Sequence, residues 1–427
     1  MSGHILTLSG SMSYNEHNMN PQAKKIQRIY LGLMLGNTLA ASLIWGINTL
    51  FLLDAGLSNF EAFLANAFFT LGMVLFEVPT GVIADMWGRR VSYLLGTITL
   101  AATTAAYFVM WQMDAPFVAW AAVSTLLGLG FTFFSGAVEA WLVDAMHAVK
   151  YDGDMEAVFG KGQIVGGAAM LGGSVAGGAI AQVTTLGVPY LLRAGILILL
   201  FVAAFATMRD VGFTPDRSQR PGKAMKVLLR SSVRHGLGNP AVRWVMLAAP
   251  FTASVGFYVF YALQPYLLEL YGDEKAYGIA GLAAAIVAGA QIAGGLLAGR
   301  IRRLFKRRTS ALLAGTVTTI VVVGCLGLNM NFGLAILLMA MWGLLFAASM
   351  PIRQAYLNAH IPSQQRATVL SFDSLMGNTG GIVVQPALGR VADVSSYGQS
   401  FVVGALVQVV SLPLLMRSRS YDKDSKD

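Results

Sequence analysis

Charge is what this sequence has least of. Only 12% of its 427 residues are Asp, Glu, Lys or Arg, while 56% are hydrophobic. A soluble domain carries about 25% charged residues, so this chain cannot surround itself with a water-facing surface. Cys325 is its only cysteine, which excludes an intrachain disulfide framework and leaves the redox compartment unread. His4, His17, His147, His235 and His360 fall in tails or at the edges of apolar runs, so no cluster has metal-ligand spacing. No nucleophile stands beside a base. Gly160-Lys161-Gly162 lacks both the earlier glycine and the following Ser or Thr that a phosphate-binding loop needs. These absences argue against a soluble enzyme, a nucleic-acid binder and a disulfide scaffold, and no cofactor or metal is expected.

What the chain has instead is long uncharged runs. At roughly 20 apolar residues per bilayer crossing, it supplies about twelve. The first six cover 29–53, 60–84 (with Glu61 and Glu77), 91–113, 115–143 (with Glu139), 162–183 and 188–208. Spans seven and eight cover 244–268 and 277–299. The run 309–352 is too long for one crossing, and Gly327, Asn329, Asn331 and Gly333 divide it. Segments 372–392 and 400–416 complete the set. The reading is an all-α polytopic membrane protein made of two pseudo-symmetric six-helix halves. Its expected parts are a tail (1–28), a first bundle (29–208), a basic linker (209–243), a second bundle (244–416) and a second tail (417–427). Residues 1–23 are polar and Lys24, Lys25 and Arg28 come after them, the wrong order for a secretory leader.

The net charge of +9 reports topology. Lys and Arg gather in the tails, in 209–243, at Arg89 and Arg90, and between Arg300 and Arg308, whereas Lys275 alone lies in an opposite loop. The positive-inside rule then puts both termini in the cytoplasm, with the cell (inner) membrane as the expected location. The two halves also align on each other at a constant offset. Gly81 falls on Gly295, Arg89 on Arg303, Ser135 on Ser349 and Gly166 on Gly380, while Glu77 falls on Gln291 and Glu139 on Arg353. Parallel six-span repeats are a transporter architecture with the substrate between the halves.

Between spans two and three stands Gly81-Val82-Ile83-Ala84-Asp85-Met86-Trp87-Gly88-Arg89-Arg90. It resembles the loop signature of the major facilitator superfamily, in which Gly-x-x-x-Asp is followed by a second Gly and a basic pair. The resemblance implies a gating loop made by Gly81, Asp85, Gly88, Arg89 and Arg90. Gly81 would allow close helix contact, Gly88 a tight turn, and Asp85 would face the start of span eleven at Ser371-Phe372-Asp373. In span five, Gly173-Ser174-Val175-Ala176-Gly177-Gly178 resembles the Gly-Pro-x-x-Gly-Gly signature of the drug:proton antiporter-type efflux members, with Ser174 in place of proline. Small-residue packing explains the same run equally well. Ser124 occupies the place where the antiporter pattern has arginine.

Intramembrane charge is expensive, about 2.5–3.5 kcal/mol at a helix centre on insertion scales, so Glu77, Glu139 and Arg353 are candidate functional groups. Glu139 and Arg353 are repeat-related and form either a structural ion pair or a coupling pair. Glu77 is a second proton-coupling candidate or a gate. Helical spacing adds Asn37, Trp45 and Asn48 on span one and Tyr258, Tyr261 and Gln264 on span seven as substrate-cavity candidates, with helix packing as the alternative for each. The leading function is a monomeric secondary transporter exporting amphiphilic small molecules against protons across the lipid bilayer. The alternative is a proton-coupled importer of a small polar or anionic nutrient anchored by Arg353. A non-transporting sensor on the same fold is a third reading, disfavoured by the intact Asp85, Gly88 and Arg89.

Overall fold

A computed structural model describes residues 20–134, 136–215, 226, 230, 233–361 and 366–421. Ser135, both extreme tails and most of the basic linker lie outside the described residues. Every regular element among the described residues is helical. The passes are α1 (Pro21–Trp45, resuming as Asn48–Asp54 after a 49° bend), α2 (Asn59–Trp87), α3 (Arg89–Gln112) and α4 (Phe117–Phe134, resuming as Ala137–Ala148). Then come α5 (Met155–Val183), α6 (Gly187–Thr207), α7 (Pro240–Tyr271), α8 (Tyr277–Arg303), α9 (Arg308–Leu328) and α10 (Phe332–His360). The last two are α11 (Arg366–Val394) and α12 (Tyr397–Val409, resuming as Ser411–Arg419). Among these, 10 helices are long and apolar enough to cross a membrane, and the bent α1 brings the number to 11. The remaining pass, α11, is 29 residues long but carries Arg366, Asp373, Arg390 and Asp393, and it packs between α2 and α7.

Local chemistry sets the helix starts. Asn20 accepts from the amides of Gln22 and Ala23, and Pro21 opens the first turn, where a missing N–H costs nothing. Ser58 and Glu61 form a reciprocal capping box at α2, so Glu61 is a helix-end residue and not an intramembrane charge. Asp154 caps α5, Asn239 with Pro240 opens α7, and Asn331 caps α10 after the Asn329–Asn331 turn. The helices overrun the uncharged stretches because a helix continues into water until a cap stops it.

Helix neighbours repeat between the halves. Contacts of α1 with α5, α2 with α4, α3 with α4 and α3 with α6 recur as α7 with α11, α8 with α10, α9 with α10 and α9 with α12. The halves meet through α2 against α11 and α5 against α8. Outer flanks expose large apolar side chains such as Leu199, Val202 and Phe205 of α6, as a lipid-facing surface requires. An even number of passes puts both termini at one end, here called the basic end.

Candidate transport site

One stripe of α2 reads out how the halves are set. Residues 59, 63, 70, 77 and 81 share a helix face at the spacing of 3.6 residues per turn. At the far end this face is sealed. The backbone N–H groups of Asn59 and Phe60 donate to the two carboxylate oxygens of Asp393 on α11 (both 2.9 Å), satisfying amides left free by the helix start. Tyr397 donates to Asn59, and the Phe63 ring packs 4.7 Å from Tyr258. Towards the basic end the same stripe opens: Glu77 and Gly81 are exposed, and a methyl on Gly81 would meet nothing within 4 Å.

The α5/α8 seam grades in the same direction. A Cβ on Gly178 would lie 2.7 Å from the Gly281 Cα and 2.6 Å from the Tyr277 carbonyl. Gly167 faces Ile292 at 3.4 Å and Gly289 faces Leu171 at 3.9 Å, whereas Gly160, Gly295 and Gly299 front open space. The apolar cores agree. Clusters at the far end mix halves, joining Leu268, Ala276 and Ala280 to Phe51 and Trp120, and Phe63 to Tyr258 and Phe401. Clusters nearer the basic end stay within one half. The molecule is a V closed at the far end.

At the apex, α1 and α7 are stitched together. Gln264 donates to the Trp45 carbonyl (2.6 Å) and accepts from the Thr49 amide (2.9 Å), while Thr49 Oγ1 donates to the Tyr261 carbonyl (2.9 Å). The bend between Trp45 and Asn48 exposes the carbonyl and amide that Gln264 uses. Beside this bridge lies a small recess whose lining includes Trp45, Phe260, Leu263, Leu267 and Met339. The Gln264 side chain thus meets the Trp45 backbone, and Thr49 meets the Tyr261 backbone, at the apex.

Other candidates go elsewhere. Asn37 accepts from Tyr93 (2.8 Å) inside the first half. Asn48 accepts from Tyr190 (3.1 Å) and donates to Asn66 (3.2 Å). Tyr258 is fully buried at the α2/α11 seam and bonds Ser400, so it seals the far end instead of lining the cleft. The expected Glu139–Arg353 pair does not form. Arg353 makes a two-pronged ion pair with Asp373 of α11 and also reaches the Val245 carbonyl of α7 (3.4 Å). The fork geometry of guanidinium on carboxylate favours that partner, and the open basic end keeps the halves apart. Glu139 opens the second segment of α4 after left-handed Gly136; the Tyr30 hydroxyl lies within its electrostatic reach, and no ion pair holds it among the described residues.

The signature loop turns on a single residue. Gly88 has φ +104° and ends α2 directly against α3, a conformation open in practice only to glycine. Asp210 accepts from the Arg90 amide (2.9 Å) and so caps α3; burial pushes its carboxyl above the ordinary aspartate range, against the pull of Arg90. Arg89 bonds Asp85 (2.8 Å) and reaches Asp144 (3.9 Å). Arg90 donates to the Phe205 carbonyl (2.7 Å) and lies over that ring. Asp85 thus pairs inside its own half and not with the start of α11, because the open V withdraws α11 from it. In α5, Gly173 and Gly177 abut Ser42 and Leu43 of α1, and Gly178 abuts α8, so small-residue packing accounts for the glycine run. Ser124 hydrogen bonds Tyr107 (2.6 Å).

Sequence reasoning missed Asp393, Thr49, Asp373 as the partner of Arg353, and Arg193. Only the last left a local signal: an arginine within the apolar run of α6.

Two pseudo-symmetric helical halves, sealed at one end around a cleft, define a membrane carrier. The chain belongs to the Major Facilitator Superfamily, whose family model matches residues 30–383 and 251–427. It is 24% identical over 394 residues to "Uncharacterized MFS-type transporter YxaM" of Bacillus subtilis (strain 168), covering 88% of this chain and 92% of that protein. Among solved structures, the nucleoside transporter NupG matches with TM-score 0.76 at 11% identity, covering 94% of this chain and 100% of that one. A bacterial homolog of the human lysosomal transporter Spinster, in an inward-facing and unoccupied conformation, matches with TM-score 0.71 at 14% identity, covering 95% and 98%. These likenesses show the fold.

Proposed function

We propose that this transporter exports amphiphilic organic compounds in exchange for protons, working as a monomer with both termini in the cytoplasm of a cell-membrane location. The observation that carries this reading is the make-up of the apex, where Trp45, Phe260, Leu263, Leu267 and Met339 line a small recess beside the Gln264 bridge with aromatic, aliphatic and thioether surface. Such surface adapts to varied apolar shapes. With the basic end facing the cytoplasm, as the positive-inside rule requires, the open V would load substrate from inside. Glu139, free of an ion pair among the described residues, is the coupling carboxylate of this proposal, with Glu77 on the open face of α2 next in order. The import alternative loses the anchor first assigned to it, because Arg353 is engaged by Asp373.

The test is uptake of labelled lipophilic compounds into inside-out vesicles with and without an imposed proton gradient. Uphill accumulation supports export, and Glu139→Gln should abolish it while sparing downhill exchange. Flux restricted to small anions in the opposite direction would sink the export reading. Unchanged accumulation and pH profile in Glu139→Gln would move the coupling role to Glu77.

A further inference from the structure

Beyond the Arg353–Asp373 pair, the second half leaves its charge at the basic end unbalanced. In the first half Arg89 is held by Asp85 (2.8 Å) and reaches Asp144 (3.9 Å), and Asp210 takes the Arg90 amide. The constant offset that aligns the halves puts Arg303 on Arg89, Gly299 on Asp85 and Asn358 on Asp144. The arginine is kept and both of its carboxylates are gone. The loss is general. Residues 275–372 contain no Asp or Glu, while 300–308 supply Arg300, Arg302, Arg303, Lys306, Arg307 and Arg308. The positive-inside rule accounts for the sign of these residues. It does not account for the missing acids, because the first half obeys the same rule and keeps them.

The connection between α8 and α9 is shaped to present that charge. Where the first half turns on Gly88 alone, residues 304–307 join the two helices. Phe305 folds back against Ala311, Leu312 and Ile352, and Arg302 donates to the Phe305 carbonyl (2.6 Å). Leu304, 79% exposed, and the exposed Arg300, Arg303 and Lys306 stay outside this anchor. Arg307 donates to the Arg419 carbonyl (3.4 Å), which brings the basic end of α12 alongside. Among the described residues no carboxylate is ion-paired with Arg300, Arg303 or Lys306. The sequence after α12 cannot balance them, since the three aspartates of 422–427 are offset by Lys423 and Lys426. Both α8 and α9 are long and apolar enough to cross a membrane, so their connection lies at headgroup level. There a bare leucine can enter the apolar layer while basic side chains meet lipid phosphate.

We infer that the α8–α9 connection binds the headgroup phosphate of an anionic membrane lipid, with Arg300, Arg303 and Lys306 as its cations and Leu304 as its apolar anchor. The bilayer then supplies the negative charge that Asp85 and Asp144 supply in the first half. Guanidinium suits this ligand because its fork offers phosphate two parallel N–H donors. The assignment goes beyond the export reading and stands without it.

The test titrates the detergent-purified full chain with phosphatidylglycerol and with phosphatidylcholine of the same acyl chains, counting bound lipid by native mass spectrometry. Both lipids carry a phosphate diester, and only the first is net negative. Wild type should bind phosphatidylglycerol roughly tenfold more tightly. The triple variant Arg300→Gln/Arg303→Gln/Lys306→Gln should lose that preference, with its phosphatidylcholine affinity unchanged as the sign of an intact fold. Each single substitution should lower the preference in part, which keeps the test open if the triple variant fails to fold. The control Lys24→Gln/Lys25→Gln/Arg28→Gln removes as many charges from the start of α1 and should leave the preference in place. No preference in wild type, a preference that survives the loop substitutions, or an equal loss in the α1 control overturns the assignment. Inorganic phosphate in large excess should not displace the lipid, because it has no acyl chains; full displacement would overturn the lipid as the source. Asp422→Asn/Asp424→Asn should leave the preference unchanged. A preference that emerged only in that variant would make the chain's own aspartates the occupant and overturn the assignment too.

Discussion

The two ends of the seam between the halves are built from different materials. At the far end apolar packing such as Phe63 on Tyr258 crosses the seam, and the polar and close contacts beside it use backbone and small groups: two amides of α2 on Asp393, the Gly178–Gly281 approach, the Gly278 amide on Gln182, and the Gln264 bridge. Near the basic end the charges are settled within each half, as Asp85–Arg89–Asp144 in the first and Arg353–Asp373 in the second. The difference teaches how a carrier can part at either end. Contacts that close by small-residue approach and helix-end hydrogen bonds release groups that water can satisfy. Charges already paired inside a half leave no orphan when the halves separate.

The comparison breaks most readily at Arg353. Removing one partner of a largely buried pair costs about 3–5 kcal/mol, so Arg353→Ala should markedly lower the melting temperature of the detergent-solubilised protein, and the double variant Arg353→Met/Asp373→Leu should recover much of the loss. Recovery absent in the double variant would mean that the pair does more than neutralise itself.

The next largest effect is expected at the far seam. Gly178→Leu drives a side chain into the Gly281 backbone, an overpacking cost of about 1–3 kcal/mol if the halves stay closed. The halves should therefore part there. Spin labels at Asp114 and Lys275 in a Cys325→Ser background should move farther apart, and transport should fall; an unchanged distance distribution would contradict the tight α5/α8 approach.

Asp393→Ala removes an acceptor shared by two helix-end amides, worth about 0.5–2 kcal/mol by analogy with caps. The same label pair should shift partway in the same direction. A shift in the opposite sense would show that Asp393 does not hold the far end closed.

The smallest stability effect belongs to Asp85. Its pair with Arg89 is partly exposed, and solvent-accessible pairs contribute about 0–1 kcal/mol, so Asp85→Asn should barely change the melting temperature. Transport should nevertheless drop, because the gating proposal needs that charge when the basic end closes. Wild-type flux in Asp85→Asn would reduce the loop signature to scaffold.

Much of the fold was legible in the sequence because hydropathy, caps and turns are properties of contiguous residues. The Asn329–Asn331 break and the Gly88 turn stand where local chemistry puts them, whereas α7 begins at Pro240, inside the stretch read as linker. The constant offset between the halves carried the pseudo-symmetry, visible in the structure as repeated helix neighbours. The site was legible only in part. Stripe spacing on α1 and α7 singled out Trp45, Tyr261 and Gln264, whose segments meet at the apex, yet the same spacing counted Tyr258, which is turned into the far seam. Periodicity gives a helix face but not the neighbour that face will meet.

By itself, then, the sequence determined that the chain is a membrane protein, roughly how many times it crosses, that its two halves repeat, and which loop carries the family signature. The tertiary structure alone decided that Arg353 pairs with Asp373 and not Glu139, that Asp393 caps a helix 334 residues away, that Arg193 has no ion-pair partner among the described residues, and which end is closed. The reason is physical. Helix formation answers to residues within a turn or two, whereas the rotation of each helix about its axis and the tilt of one half on the other minimise the packing of the whole assembly at once. No local stretch contains that sum.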